Sequence, residues 1–221
     1  MFSTANSFVA WERETAGEIG EYINLRQVNA DLAEENAFLR NQLATDSSFH
    51  AAYHSAKVIQ MTFDKQHNYL TINRGANDGI YRGMGVRNAD GAVGIVRTVG
   101  AQYSIVQPII HTRSRLSCRF AKNDYIGTLE WNGKDCRFAQ LTDIATHINV
   151  AVGDTIVTSG LSPAFPEGIP VGIISDCQLK PGDSFYTIRV LLSTDFRRLK
   201  YIETITNNDR SELEVLNNGL D

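Results

Sequence analysis

The chain has 221 residues, enough for one or two domains, with 21 basic against 25 acidic residues and a net charge of −4. That balance argues against a strongly basic nucleic-acid surface. No apolar run approaches the roughly 20 residues of a membrane span. Charge and turn residues are unevenly divided. Residues 1–56 hold 3 basic and 8 acidic side chains, whereas all 5 prolines and 15 of the 17 glycines lie after residue 57. The chain therefore reads as an acidic helical segment joined to a Gly-rich part that turns often.

Residues 1–17 include Ser3, Thr4, Asn6 and Ser7, carry little periodicity and read as a leader. Met1-Phe2-Ser3 leads into polar residues and does not open a signal peptide. Residues 18–56 are assigned to a coiled-coil helix, with a break or hinge between Thr45 and Ser55. From Glu18 to Leu43, Ala, Glu, Leu, Arg and Gln dominate, and all favour helix. Leu25, Leu32 and Leu39 recur every seven residues as d positions, which places Tyr22, Asn29, Asn36 and Leu43 at a. Leucine at d with Asn at a is the pattern of a parallel dimer, since paired amides fix the register at some cost in stability. Glu21 and Glu35 then fall at g, and Arg26 and Arg40 at e, so Glu21–Arg26 and Glu35–Arg40 would pair between chains. Such exposed pairs contribute only ~0.2–1 kcal/mol each and select orientation more than they stabilise. The same amphipathic pattern also suits a helix docked on its own domain.

After residue 57 the apolar period changes to two. Tyr186, Ile188, Val190 and Leu192 alternate with Phe185, Thr187, Arg189 and Leu191. About twelve short strands are predicted, near 57–63, 68–74, 84–88, 92–99, 103–110, 114–121, 125–132, 136–141, 154–158, 170–178, 185–192 and 201–206. Asn132-Gly133 reads as a two-residue hairpin turn, and Asp90-Gly91 and Lys180-Pro181-Gly182-Asp183 as further turns. Many short strands with frequent turns indicate a sandwich or barrel rather than a parallel α/β fold. Gly91-Ala92-Val93-Gly94-Ile95-Val96 echoes Gly168-Ile169-Pro170-Val171-Gly172-Ile173-Ile174, which fits two related barrels or chance.

Chemistry-bearing residues are sparse. His111, Asp143 and Ser159 occur in the chain order of a chymotrypsin-like protease. Ser159 nevertheless lies in Val157-Thr158-Ser159-Gly160-Leu161, with no preceding Gly to shape an oxyanion hole, so no catalytic residue is assigned. His50 and His54 are four apart without a companion Glu or Cys, and no metal site is assigned. Gly83-Met84-Gly85 lacks the third glycine of a dinucleotide loop, and no cofactor is implied. Arg113, Arg115 and Arg119 alternate as a basic stripe, suited to a solvated face or to an acidic partner. Cys118 and Cys136 sit on strands expected to flank the strand from Tyr125 to Asn132, so with Cys177 they are expected as three buried free thiols.

The Asn/Leu helix with Leu32-Ala33-Glu34-Glu35-Asn36-Ala37-Phe38-Leu39 runs into Asn73-Arg74-Gly75-Ala76-Asn77-Asp78-Gly79-Ile80 and Gly83-Met84-Gly85-Val86. After Gly91-Ala92-Val93-Gly94 come Val152-Gly153-Asp154-Thr155-Ile156-Val157-Thr158-Ser159-Gly160-Leu161 and Phe165-Pro166-Glu167-Gly168-Ile169-Pro170-Val171-Gly172. Over residues 20–206 this resembles the bacterial rod shape-determining MreC family, the late stretch being the most specific part. The resemblance implies a mainly β protein with an N-terminal coiled-coil helix and two small antiparallel β-barrels. It places the first barrel at residues 57–110, open to regaining C-terminal strands, the second at 111–206, and a tail at 207–221. Whether the chain leaves the first barrel and returns to it stays open in the sequence.

The resemblance further implies a non-enzymatic scaffold of the cell-elongation machinery on the periplasmic face of the bacterial inner membrane. Such proteins form dimers or filaments and contact MreD, RodZ and a class B penicillin-binding transpeptidase, which they help activate. The single membrane helix of the family is not in this sequence, which is therefore read as an ectodomain with Met1 added. Gly153, Gly160, Gly168 and Gly172 are expected to serve positive φ or close backbone approach, Pro166 and Pro170 to fix turns and edges, and Gly79 and Gly94 belong to the same structural motif. Asp154, Thr158, Ser159 and Phe165 complete the structural motif, with Phe165 expected in the core. A cell-wall glycan-binding β module is the alternative class, although Trp131 and the tyrosines are too scattered to form an aromatic row.

Overall fold

The computed structural model describes residues 27–42, 51–179 and 184–207. Residues 27–42 form helix α1. Six strands make the first barrel: β1 (Ala51–Met61), β2 (Leu70–Ile72), β3 (Gly85–Arg87), β4 (Ala92–Val99), β5 (Ser104–Pro108) and β12 (Tyr201–Asn207). Six more make the second: β6 (Arg115–Phe120), β7 (Ile126–Glu130), β8 (Phe138–Thr142), β9 (Thr155–Thr158), β10 (Pro170–Gln178) and β11 (Thr187–Leu192). The first closes in the order β1-β12-β3-β4-β5-β2 and the second in the order β10-β11-β8-β7-β6-β9, each pair antiparallel. Closure leaves neither sheet with a free edge.

Alternation explains the strands. In β11, Ile188, Val190 and Leu192 are buried while Thr187, Arg189 and Leu191 are exposed. One continuous apolar core joins the two barrels, from Leu70, Ile72 and Val106 in the first to Phe120, Leu141 and Ile174 in the second. Each fully buried Leu, Ile or Phe contributes roughly 1.5–3 kcal/mol. Gly94 in β4 and Gly172 in β10 occupy matching places in the echoed segments. A Cβ on Gly94 would lie 2.3 Å from the Gln107 carbonyl oxygen, and one on Gly172 would lie 2.4 Å from that of Leu191.

Four expectations are corrected. Strand β1 begins at Ala51, so residues 51–56 belong to the barrel and not to the helical segment. Residues 201–207 are the neighbour of both β1 and β3, so the segment expected as one barrel over 111–206 gives up its last strand to the first. His54, expected within the helical segment 18–56, lies instead in β1 opposite Thr204, while His50 is outside the described residues. Asn132-Gly133 does not make a two-residue hairpin, because β7 and β8 pair Glu130 with Gln140. Trp131 instead turns inward, 3 % exposed, and its indole N–H donates to the Asp135 carbonyl at 3.0 Å, closing a longer loop that also holds Cys136.

Candidate functional site

Helix α1 has two unlike faces. Ala30, Ala33, Ala37, Arg40 and Asn41 turn toward the first barrel, and Ala37 is 5 % exposed. Small side chains on that face allow close approach, and polar groups fasten it. The Asn41 amide donates to the Tyr53 carbonyl at 3.1 Å, and its oxygen accepts the Tyr53 N–H. Arg40 forms an ion pair with Glu203 of β12. Glu203 is nearly enclosed, with its side chain 8 % exposed, and Arg87 approaches its second oxygen at 3.7 Å. Burial pushes the Glu203 carboxyl above its ordinary range, against the opposing pull of Arg40 and Arg87.

The opposite face carries the proposed seam. Leu32 is 48 % and Leu39 47 % exposed, and Asn29 and Asn36 lie exposed beside them. The Asn36 amide donates to the Leu32 carbonyl within the helix at 2.8 Å. Tyr22, Leu25, Leu43, Glu21 and Arg26 lie outside the described residues. Glu35 is exposed, but Arg40 is turned onto the barrel by Glu203. Within one chain Arg40 thus has Glu203 as its partner, since a nearly enclosed carboxylate holds a guanidinium more firmly than an exposed one; the Glu35–Arg40 pair between copies belongs with the proposed dimer.

The second set of motif residues builds the junction between the barrels. At the end of β9, the Thr158 hydroxyl donates to the Pro166 carbonyl at 2.6 Å and accepts the Ile169 N–H at 2.9 Å. Ser159 donates to the Ser117 hydroxyl at 2.8 Å, and the Asp154 carboxylate accepts the Ala151 N–H and pairs with Lys122. Gly79, Gly153, Gly160 and Gly168 have positive φ, and Pro170 opens β10. The result is a rigid β9–β10 loop that drives Phe165, 1 % exposed, against β3. A Cβ on Gly85 would lie 1.9 Å from the Ala164 carbonyl oxygen, and one on Gly91 would lie 2.3 Å from that of Pro170. Those two glycines let the barrels touch backbone to backbone. They were missed in the sequence as a contact, as was Glu203, whose one signal is a charge inside an otherwise β-rich run.

The residues in protease order stay apart in their bonding. His111 contacts the Tyr69 hydroxyl at 3.3 Å and accepts the Arg113 N–H at 3.0 Å, while Ser159 bonds Ser117 and Asp143 contacts Thr142. Cys118 is buried, and burial pushes its thiol far above the ordinary range. Cys136 and Cys177 are free and half-buried rather than buried. Among the described residues no group of three His, Cys, Asp or Glu could hold a metal ion, and no helix is long and apolar enough to cross a membrane.

Two barrels joined through a motif whose polar groups bond one another, with an amphipathic helix clamped alongside, define a twin-barrel β fold. The chain belongs to the MreC family: the family model described as "Rod shape-determining protein MreC, barrel core" matches residues 58–206. It is 29 % identical over 178 residues to the cell shape-determining protein MreC of Escherichia coli, covering 80 % of this chain and 48 % of that protein. It is 30 % identical over 161 residues to the Bacillus subtilis protein of the same name, covering 67 % of this chain and 55 % of that one. The chain thus spans about half the length of these relatives. A solved MreC structure from Listeria monocytogenes superposes with a TM-score of 0.67 at 25 % identity, covering 88 % of this chain and 94 % of that one. MreC in a solved complex with a penicillin-binding protein (PBP2) from Helicobacter pylori shares the fold, with a TM-score of 0.55 at 19 % identity, covering 71 % of this chain and 99 % of that one.

Proposed function

We propose that this chain is a non-enzymatic scaffold of the cell-elongation machinery, working on the periplasmic face of the bacterial inner membrane. It self-associates and organises peptidoglycan synthesis proteins, including a class B penicillin-binding transpeptidase, with MreD and RodZ as further partners. Anchorage is through a single membrane helix, as the family resemblance implies. The observation that carries the reading is the two-faced helix. One face of α1 is fastened to the barrel by Arg40 and Asn41, while Leu32, Asn36 and Leu39 remain available to a second copy. A seam of about three heptads is weak alone, and the clamp supplies the order it needs.

Sedimentation equilibrium of the chain tests the self-association. A concentration-dependent dimer is expected, shifted to monomer by Leu32→Asp; a monomer at all concentrations, unaffected by that change, would sink it. Co-purification of the full-length protein with the transpeptidase tests the scaffold role, and no binding to any elongation component would end it.

A further inference from the structure

Each arginine of the basic stripe has a different fate. Arg119 pairs with Asp124 and Glu167, and Arg115 pairs with Glu130 at 2.6 Å. Arg113 is exposed, and among the described residues its guanidinium makes no hydrogen bond or ion pair. The same holds for Arg97 of β4. Both side chains line one groove of about 250 Å³ between the barrels, together with Arg82 and Arg115. No carboxylate lines that groove, although the chain as a whole carries a net charge of −4. Buried Val96, Ile109, Leu116 and the junction residue Phe165 lie beneath it, and half-buried Ile95 is the apolar side chain its floor exposes. Arg97 also borders an adjoining hollow with Lys65 and His67, again free of carboxylates, so the positive surface is continuous. After burial, the charges of His67, Arg113 and Arg97 are what hold the His111 imidazole below its ordinary range.

We infer that the inter-barrel groove receives an acidic peptide segment of a partner protein, with an apolar side chain on the groove floor and carboxylates on Arg97 and Arg113. Cations left without counter-charges in an acidic protein are satisfied by an anionic ligand, and complementary charge directs encounter and register. The floor selects the peptide over simpler anions. A phosphate gains nothing from Ile95, and a flat lipid surface does not reach the bottom of a cleft between two barrels. The inference is independent of the α1 seam and goes beyond the proposed scaffold role by naming a recognition chemistry.

The test is fluorescence anisotropy on the whole chain, using a short labelled peptide of alternating Glu and Leu. A Gln–Leu peptide and phosphatidylglycerol vesicles serve as the other arms. Saturable binding of the Glu–Leu peptide is expected, falling steeply with salt, and about tenfold weaker in Arg97→Gln/Arg113→Gln because each exposed charge pair contributes modestly. The Gln–Leu peptide should bind weakly and equally to both proteins, and Arg97→Lys/Arg113→Lys should retain most binding. Both sites are exposed, so matching urea unfolding curves should accompany the comparison. Absence of saturable binding, equal binding by the Gln variant, or vesicle binding abolished by the same variant would each overturn the inference. So would salt-sensitive self-association of the chain that the Gln variant removes, since the occupant would then be a second copy.

Discussion

Glu203 has two cations and almost no water. Truncating it leaves Arg87, whose side chain is 13 % exposed, without its counter-charge. Glu203→Ala is expected to cost about 2–4 kcal/mol, because removing one partner of a buried pair strands the other. Arg40→Ala should cost less, since its side chain is 26 % exposed and rejoins solvent. Urea unfolding of the single and double variants checks both. The pH dependence has a definite sign. The folded carboxyl titrates above its ordinary value of 4.5, so over that window the native state holds the proton more tightly than the unfolded chain. On this account stability falls as pH rises through the window, and Glu203→Gln should flatten the slope. An unchanged slope would assign it to another group.

At the scale of elements, the β9–β10 loop is the hinge pin that sets one barrel against the other. Phe165→Ala should cost about 3–5 kcal/mol by leaving a cavity at the junction. Amide exchange should accelerate across β3 more than in β8, the strand on the far side of β11 from β10; uniform acceleration would mean that the junction is not a local unit. The strands of both barrels were legible in the sequence, because alternation and Gly-rich turns are local signals. The Thr-Ser-Gly and Phe-Pro motifs were legible as architecture for the same reason. The Asn132-Gly133 turn misled, since burial of the Trp131 indole outweighs local hairpin preference. The fate of Arg40 was hidden for a different reason: its partner Glu203 lies 163 residues away, and a heptad pattern does not reveal which neighbour reaches a side chain first.

For the whole molecule, the second barrel is an insertion between β5 and β12 of the first. Local sequence could not show this, because nothing in a Tyr-Ile-Glu-Thr-Ile-Thr run names its pairing partner. Deleting residues 201–207 should therefore unfold the first barrel, opening it between β1 and β3, while the second keeps all its strands. Far-UV circular dichroism should lose part of its β signal, and the remainder should still unfold cooperatively. Complete loss would mean that the second barrel cannot stand without its neighbour.

The pairing of β1 with β12 also decides how the molecule bears force. Ala51 lies opposite Asn207 and Lys57 opposite Tyr201, so the first residue of β1 and the last of β12 sit side by side at one end of the ladder. Tension pulling those two strand ends apart would load the ladder one hydrogen bond at a time, as a zipper, the geometry in which paired strands yield most easily. Helix α1 sits over that opening. Asn41 holds β1 at Tyr53 and Arg40 holds β12 at Glu203, so the docked helix is a latch across the first teeth of the zipper. Under such tension the barrel would open only after that latch had let go.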